Sequence, residues 1–136
     1  MAFGTILRTA VRYNSMKFTI ETAPQYERHY NEDGFWAKLR RFAGRWGDKL
    51  LLPAMILYCM MKSPKVPLRD KTIIVGALGY LILPLDAVPD FIPMLGIVDD
   101  LSAIMLVIKT LGKDVTSEIK DEARRETDRL LKSLND

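Results

Sequence analysis

The chain has one cysteine, Cys59, and one histidine, His29. A single cysteine excludes an intramolecular disulfide and a multi-cysteine zinc site, and it fits a reducing compartment. His29 stands in a polar stretch far along the chain from the acidic cluster described below, which favours a surface side chain over a catalytic base. No Gly-rich phosphate loop and no G-x-S-x-G elbow occurs. Internal repeats and low-complexity tracts are absent. The two longest apolar helical runs, Leu50 to Met61 and Asp70 to Leu83, give about 18 Å of helix each, against roughly 30 Å of bilayer hydrocarbon. Neither is a simple membrane span. An excess of one charge is missing too: 20 basic residues against 17 acidic give +3, with a pI near 9.0. That field is too weak to argue for nucleic acid, and no nucleic-acid partner is expected.

What remains is a chain of 136 residues, 49% hydrophobic and 27% charged, with a mean hydropathy of +0.02. This is too apolar for intrinsic disorder and too polar for a mostly transmembrane protein, and the length suits one domain. The averages conceal strong segregation. Residues 1–48 carry 8 basic and 5 acidic side chains, 49–71 carry 5 and 1, 72–108 carry 0 and 4, and 109–136 carry 7 and 7. The four charges of 72–108 are all aspartates: Asp86, Asp90, Asp99 and Asp100. Lys62, Lys65, Arg69 and Lys71 precede this acid-only segment, and Lys109 and Lys113 follow it.

Hydrophobic spacing predicts an all-α protein of about five helices, organised as an N-terminal amphipathic segment and connector (1–34), a helical core (35–111) and a charged C-terminal helix (112–136). Phe3, Ile6, Leu7, Ala10 and Tyr13 recur at helical spacing in an acid-free, basic start. That start also resembles an organellar presequence, with no cleavage signal, and it is unlike a secretory signal. Residues 19–34, with Pro24, Asn31, Asp33 and Gly34, read as a polar connector. Phe35, Leu39, Phe42 and Trp46 lie on one helical face, joined by Trp36, Ala43 and Leu50, and Lys38, Arg40, Arg41, Arg45 and Lys49 lie largely elsewhere. This is either a core-facing helix with a solvated basic face or an interfacial helix, with Trp36, Arg40, Arg41, Arg45 and Trp46 as its membrane-interface residues. Pro53 starts or kinks the next helix, and 63–67 is a turn. Further helices are expected over about Asp70–Leu83, Asp99–Leu111 and Val115–Leu134.

The densest constellation is L-P-L-D-A-V-P-D-F-I-P-M-L-G-I-V-D-D, residues 83–100. Pro84, Pro89 and Pro93 exclude a regular helix across it, Asp86 and Asp90 suit helix-capping turns, and Gly96 allows a positive φ before Asp99 or Asp100 caps the next helix. Four carboxylates between apolar runs need solvent, protons, distant cations such as Arg40, Arg41 or Arg45, or a metal. An all-oxygen set of Asp86, Asp90, Asp99 and Asp100 would favour Mg, Mn or Ca. A prenyl-transfer motif fails because its third acid falls at Ala103, and Pro89 separates Asp86 from Asp90. Cys59 lies in an apolar run and reads as core.

At these residues the chain resembles the YkvA-like family, the domain of unknown function numbered 1232, found mainly in bacteria. Tyr80, Pro84, Asp86, Pro89, Asp90, Pro93, Gly96, Asp99 and Asp100 match its pattern, and the resemblance extends over roughly residues 50–111. It implies a small helical module often considered membrane-associated, with no established activity and no catalytic residues to transfer. The expectation is therefore a helical hairpin joined by the Pro/Asp turn, associated with anionic lipid on the cytoplasmic side of a bacterial inner membrane, or residing in the cytoplasm. The physical objection is Asp86 and Asp90 at the hairpin tip. The competing readings are a soluble interaction or homo-oligomerisation module and a divalent-cation site or enzyme.

Overall fold

The computed structural model describes residues 18–82 and 93–135, except for the side chains of 44–46, 93–100 and 135. Among the described residues the fold is all-helical, with five α-helices: α1 (Glu32–Trp46), α2 (Asp48–Lys62), α3 (Leu68–Ile82), α4 (Pro93–Thr110) and α5 (Ser117–Asn135). Two 3-10 helices, Ala23–His29 and Gly112–Asp114, complete it. The expected N-terminal helix falls on residues 1–17, outside the described residues.

Local chemistry sets most boundaries. Asn31 caps α1 by accepting the Gly34 N–H at 2.6 Å, and Glu32 and Asp33 place negative charge in the first turn. The helix that carries the stripe of Phe35, Leu39, Phe42 and Trp46 ends at Trp46. Gly47, at φ +49°, ends α1 and turns the chain directly into α2, a conformation that glycine adopts without a Cβ penalty. Helix α2 runs through Pro53 instead of starting there, so the Lys49 carbonyl loses an intrahelical donor. The turn at 63–67 lies as expected between α2 and α3. Thr116 opens α5 by accepting the Ile119 N–H at 3.2 Å.

Helix α3 lies at the centre. It packs against α1, α2, α4 and the first 3-10 helix, and Ile74, Ala77, Leu78, Tyr80 and Leu81 are buried. Helix α5 lies along α2, burying Ile119, Ala123, Thr127 and Leu130 on one face. Its outer side is charged, and Arg124 bridges Asp48 at 3.0 Å and Asp128 at 3.5 Å.

The segment expected to be a polar connector is a structural cover. Thr19 and Thr22 cap each other, each backbone N–H donating to the other's hydroxyl, and Pro24 helps fix the start of the 3-10 helix. Ala23 and Tyr26 are buried. The approach to α3 is so close that a Cβ on Gly76 would lie 1.9 Å from the Ala23 carbonyl oxygen, and one on Gly79 2.0 Å from that of Tyr26. Glycines three residues apart on α3 therefore form a shelf for this backbone. Polar composition hid the segment's role, because its anchoring is made largely by main chain and two aromatic rings.

Candidate functional site

The motif residues divide between the core and positions outside the description. Tyr80 is buried, edge-on to Tyr26 at 4.9 Å between centroids and 5.4 Å from Phe18. It anchors the cover to α3, since T-shaped aromatic contacts add to the burial of both rings. Pro84, Asp86, Pro89 and Asp90 lie outside the described residues. The expected start of the fourth helix is corrected. Helix α4 already runs at Pro93, well before Asp99. Gly96, Asp99 and Asp100 are thus inside α4, so Gly96 is not a positive-φ joint and neither aspartate is a cap. The side chains of Asp99 and Asp100 lie outside the described residues. Among the described residues no group of three His, Cys, Asp or Glu side chains is arranged to hold a metal ion.

The cation that reaches the threshold of the motif is Lys38. Its sequence position suggested the solvated face of α1, yet it is 2% exposed and its ammonium donates to the Leu81 carbonyl near the end of α3. A buried ammonium needs such a hydrogen-bond acceptor, because an unpaired buried cation is costly. Lys38 also stands 5.7 Å from the Phe42 ring centroid. Arg41, by contrast, is exposed and lies over the same ring at 5.7 Å. Arg40 and Trp36 line a shallow cleft of about 310 Å³ against α5, with Glu126, Arg129 and Leu130. The side chains of Arg45 and Trp46 lie outside the described residues.

Trp36 is tied into a second cluster that sequence reasoning missed. Glu32 accepts from Tyr30 Oη at 2.9 Å, Tyr58 Oη at 3.0 Å and Trp36 Nε1 at 3.3 Å, and pairs with Lys62 at 3.3 Å. Phe35 stacks on Tyr58 at 4.9 Å, and Trp36 meets both rings edge-on. Partial burial opposes ionisation of Glu32, but these four donors outweigh it and hold the carboxyl below its ordinary value. Tyr30 and Tyr58 respond oppositely: burial first, then the Glu32 carboxylate, keeps both phenols protonated. The chemistry is that of a structural ion clamp joining α1 to the end of α2. The i,i+4 pair of Glu32 with Trp36 was visible in the sequence; Tyr58 and Lys62, on another helix, were not.

A groove of about 450 Å³ opens at one end of the bundle between the 63–67 turn, the Gly112–Asp114 helix and the start of α5. Lys62, Lys65, Lys113, Asp114, Glu118 and Glu122 set its mixed polarity. Cys59 borders it but is buried, and burial together with Glu122 and Glu126 pushes its thiol up to about 12, which keeps it protonated and unreactive. His29 accepts from Arg28 Nε at 3.4 Å, in the first 3-10 helix, so the chain's histidine and cysteine belong to separate neighbourhoods.

Residues 70–106 match the family model of a protein of unknown function, DUF1232. The similarity is confined to these residues. The matched segment comprises most of α3, the Pro/Asp segment and most of α4, and is narrower than the 50–111 span of the sequence resemblance. No curated protein and no solved structure matches the chain. The DUF1232 segment has no established activity, and no helix among the described residues is long and apolar enough to cross a membrane.

Proposed function

We propose that the chain is a peripheral module that docks on an anionic lipid surface through the basic end of its bundle. The observation that carries this reading is Leu68, 81% exposed at the first position of α3 among cations. Lys65, Pro67 and Arg69, close to it in the chain, are exposed as well. Lys62, Lys65 and Val66 line the same groove as Lys113 and Asp114, which sets the turn before α3 beside the helix that follows α4. The basic flanks on either side of the acid-only segment therefore meet at one end, with Lys109 and Lys113 exposed there. Each Lys or Arg near an anionic surface contributes about 1 kcal/mol, and a protruding leucine adds apolar insertion. Helix α3 has its apolar surface enclosed by protein, so this mode needs no hairpin insertion. The cytoplasmic leaflet of a bacterial inner membrane supplies such a surface.

The test is co-sedimentation of purified full-length protein with phosphatidylcholine vesicles with and without phosphatidylglycerol. Binding is expected only to the anionic vesicles, falling at high salt and with Leu68→Asp. A monodisperse protein that stays in the supernatant with anionic vesicles refutes the reading. A second reading, self-association as a helical interaction module, is favoured by Met105 and Leu106, 47% and 39% exposed on α4. Sedimentation velocity without detergent tests it, with a concentration-dependent dimer as the supporting result.

A further inference from the structure

We infer that the groove at the basic end of the bundle binds an ammonium–phosphate zwitterion of the ethanolamine phosphodiester class. Its volume of about 450 Å³ suits a small ligand. The charges that line it segregate by element. Lys62 comes from the end of α2, Lys65 from the 63–67 turn and Lys113 from the second 3-10 helix, whereas Glu118 and Glu122 both come from α5. Asp114, next to Lys113, has its Oδ2 buried and does not present that oxygen to the groove.

Lys113 and Glu122 carry the inference. Both are exposed and both line the groove, yet among the described residues neither takes part in an ion pair. A cation and an anion that border one space without meeting are the complement of a ligand whose own two charges are separated by a short chain. The pair that does cross between these elements, Lys65 with Glu118, is long at 3.9 Å and its side chains are 75% and 82% exposed, so a ligand replaces it at little cost. The Ser63 and Thr116 hydroxyls accept the Lys65 and Ile119 N–H groups at 3.2 Å each, which leaves their protons to donate to phosphate oxygens. Cys59, Val66 and Ile119 are buried and give the groove an apolar floor for the carbon chain. Phosphate alone would leave Glu118 and Glu122 facing an anion, and an amine alone would leave the lysines facing a cation. A primary ammonium also brings three N–H donors for carboxylate, and a quaternary ammonium brings none. As a lipid headgroup this ligand deepens the docking proposed above, and that bearing rests on it; the chemistry of the groove does not.

Calorimetric titration of the purified full chain with glycerophosphoethanolamine and with glycerophosphocholine tests the groove. The ethanolamine ester is expected to bind about tenfold tighter, the effect of one charge-assisted hydrogen bond. Glu122→Gln is expected to erase that difference and Lys113→Met to weaken both esters about tenfold, and both side chains are exposed, so the fold is retained. Equal binding of the two esters, no binding of either at millimolar concentration, or a preference that survives Glu122→Gln overturns the site. Vesicles at a fixed phosphatidylglycerol fraction, with phosphatidylethanolamine replacing phosphatidylcholine, identify the source of the ligand. More pelleting with phosphatidylethanolamine, lost in Glu122→Gln, assigns the lipid headgroup, and ester discrimination without that increment assigns a free phosphoester. Ester discrimination with no pelleting on any vesicle removes only the docking surface, and pelleting on anionic vesicles without ester discrimination removes only the groove.

Discussion

Replacing Gly79 by alanine is expected to reverse the usual sign of that change in a helix. In a helix interior, alanine is favoured over glycine by about 1 kcal/mol. At Gly79 the new Cβ would stand 2.0 Å from the Tyr26 carbonyl oxygen, a backbone atom that can move only with the whole 3-10 helix. Relief therefore requires the cover to lift by more than 1 Å, roughly the distance to an ordinary carbon–oxygen contact. Lifting it strips Phe18 and Tyr26 from Tyr80, both rings being buried in the native fold. Burial of each is worth about 2 kcal/mol, and the edge-on contact about 1 more. Set against the propensity gain, the net loss is about 4 kcal/mol if the cover detaches fully and about 2 kcal/mol if it shifts and stays. Urea unfolding measures the loss, and limited trypsin digestion locates it, because Arg28 is exposed within the cover and its cleavage should accelerate. A Gly79→Ala protein as stable as the parent, with unchanged cleavage at Arg28, would show that the 3-10 helix does not rest on α3 as described.

Two other expectations follow from titratable groups. Glu32, held below its ordinary value of 4.5, contributes stability that is present above that value and lost as pH falls through its lower folded value. Because the side chain is 45% exposed, that contribution is below about 1 kcal/mol, and Glu32→Gln should flatten the melting profile between pH 2.5 and 5; coincident profiles refute it. Cys59, with its thiol pushed up to about 12, holds about three orders of magnitude less thiolate at neutral pH than an ordinary cysteine. A thiol reagent should therefore label it slowly in the native protein and rapidly in urea, and rapid native labelling would contradict its burial.

The helices were legible because each carries its own periodicity: Phe35, Leu39 and Ala43 bury on one face of α1, and Ile119, Ala123 and Leu130 on one face of α5. The start of α4 was misread because a proline, a glycine and an Asp-Asp pair signal turns and caps, and here they lie within the helix. Lys38 looked solvated since helical spacing reports a face, not the partner across it; only the end of α3, more than 40 residues away, turns that position into a carbonyl cap. The same limit hid the shelf formed by Gly76 and Gly79. Two glycines in a helical run read as a propensity cost until the backbone that needs the space is known. Of the acidic motif, the sequence singled out Tyr80 and the proline–aspartate pattern, and the family match assigns them no chemistry.

The dependence of α3 on Lys38 and on the 3-10 cover also bears on what counts as a folding unit. The DUF1232 segment, residues 70–106, contains neither the ammonium that satisfies the Leu81 carbonyl nor the rings and backbone that seal Gly76, Gly79 and Tyr80. Helix α2, against which both α3 and α4 pack, is outside it as well. A peptide cut at the family boundaries would bare one apolar helix along several sides and remove the Lys38 donor from the Leu81 carbonyl. The stretch with the recognisable pattern is thus the centre of a larger packed structure, and its neighbours in the chain cover the apolar surface that the stretch alone would present to water.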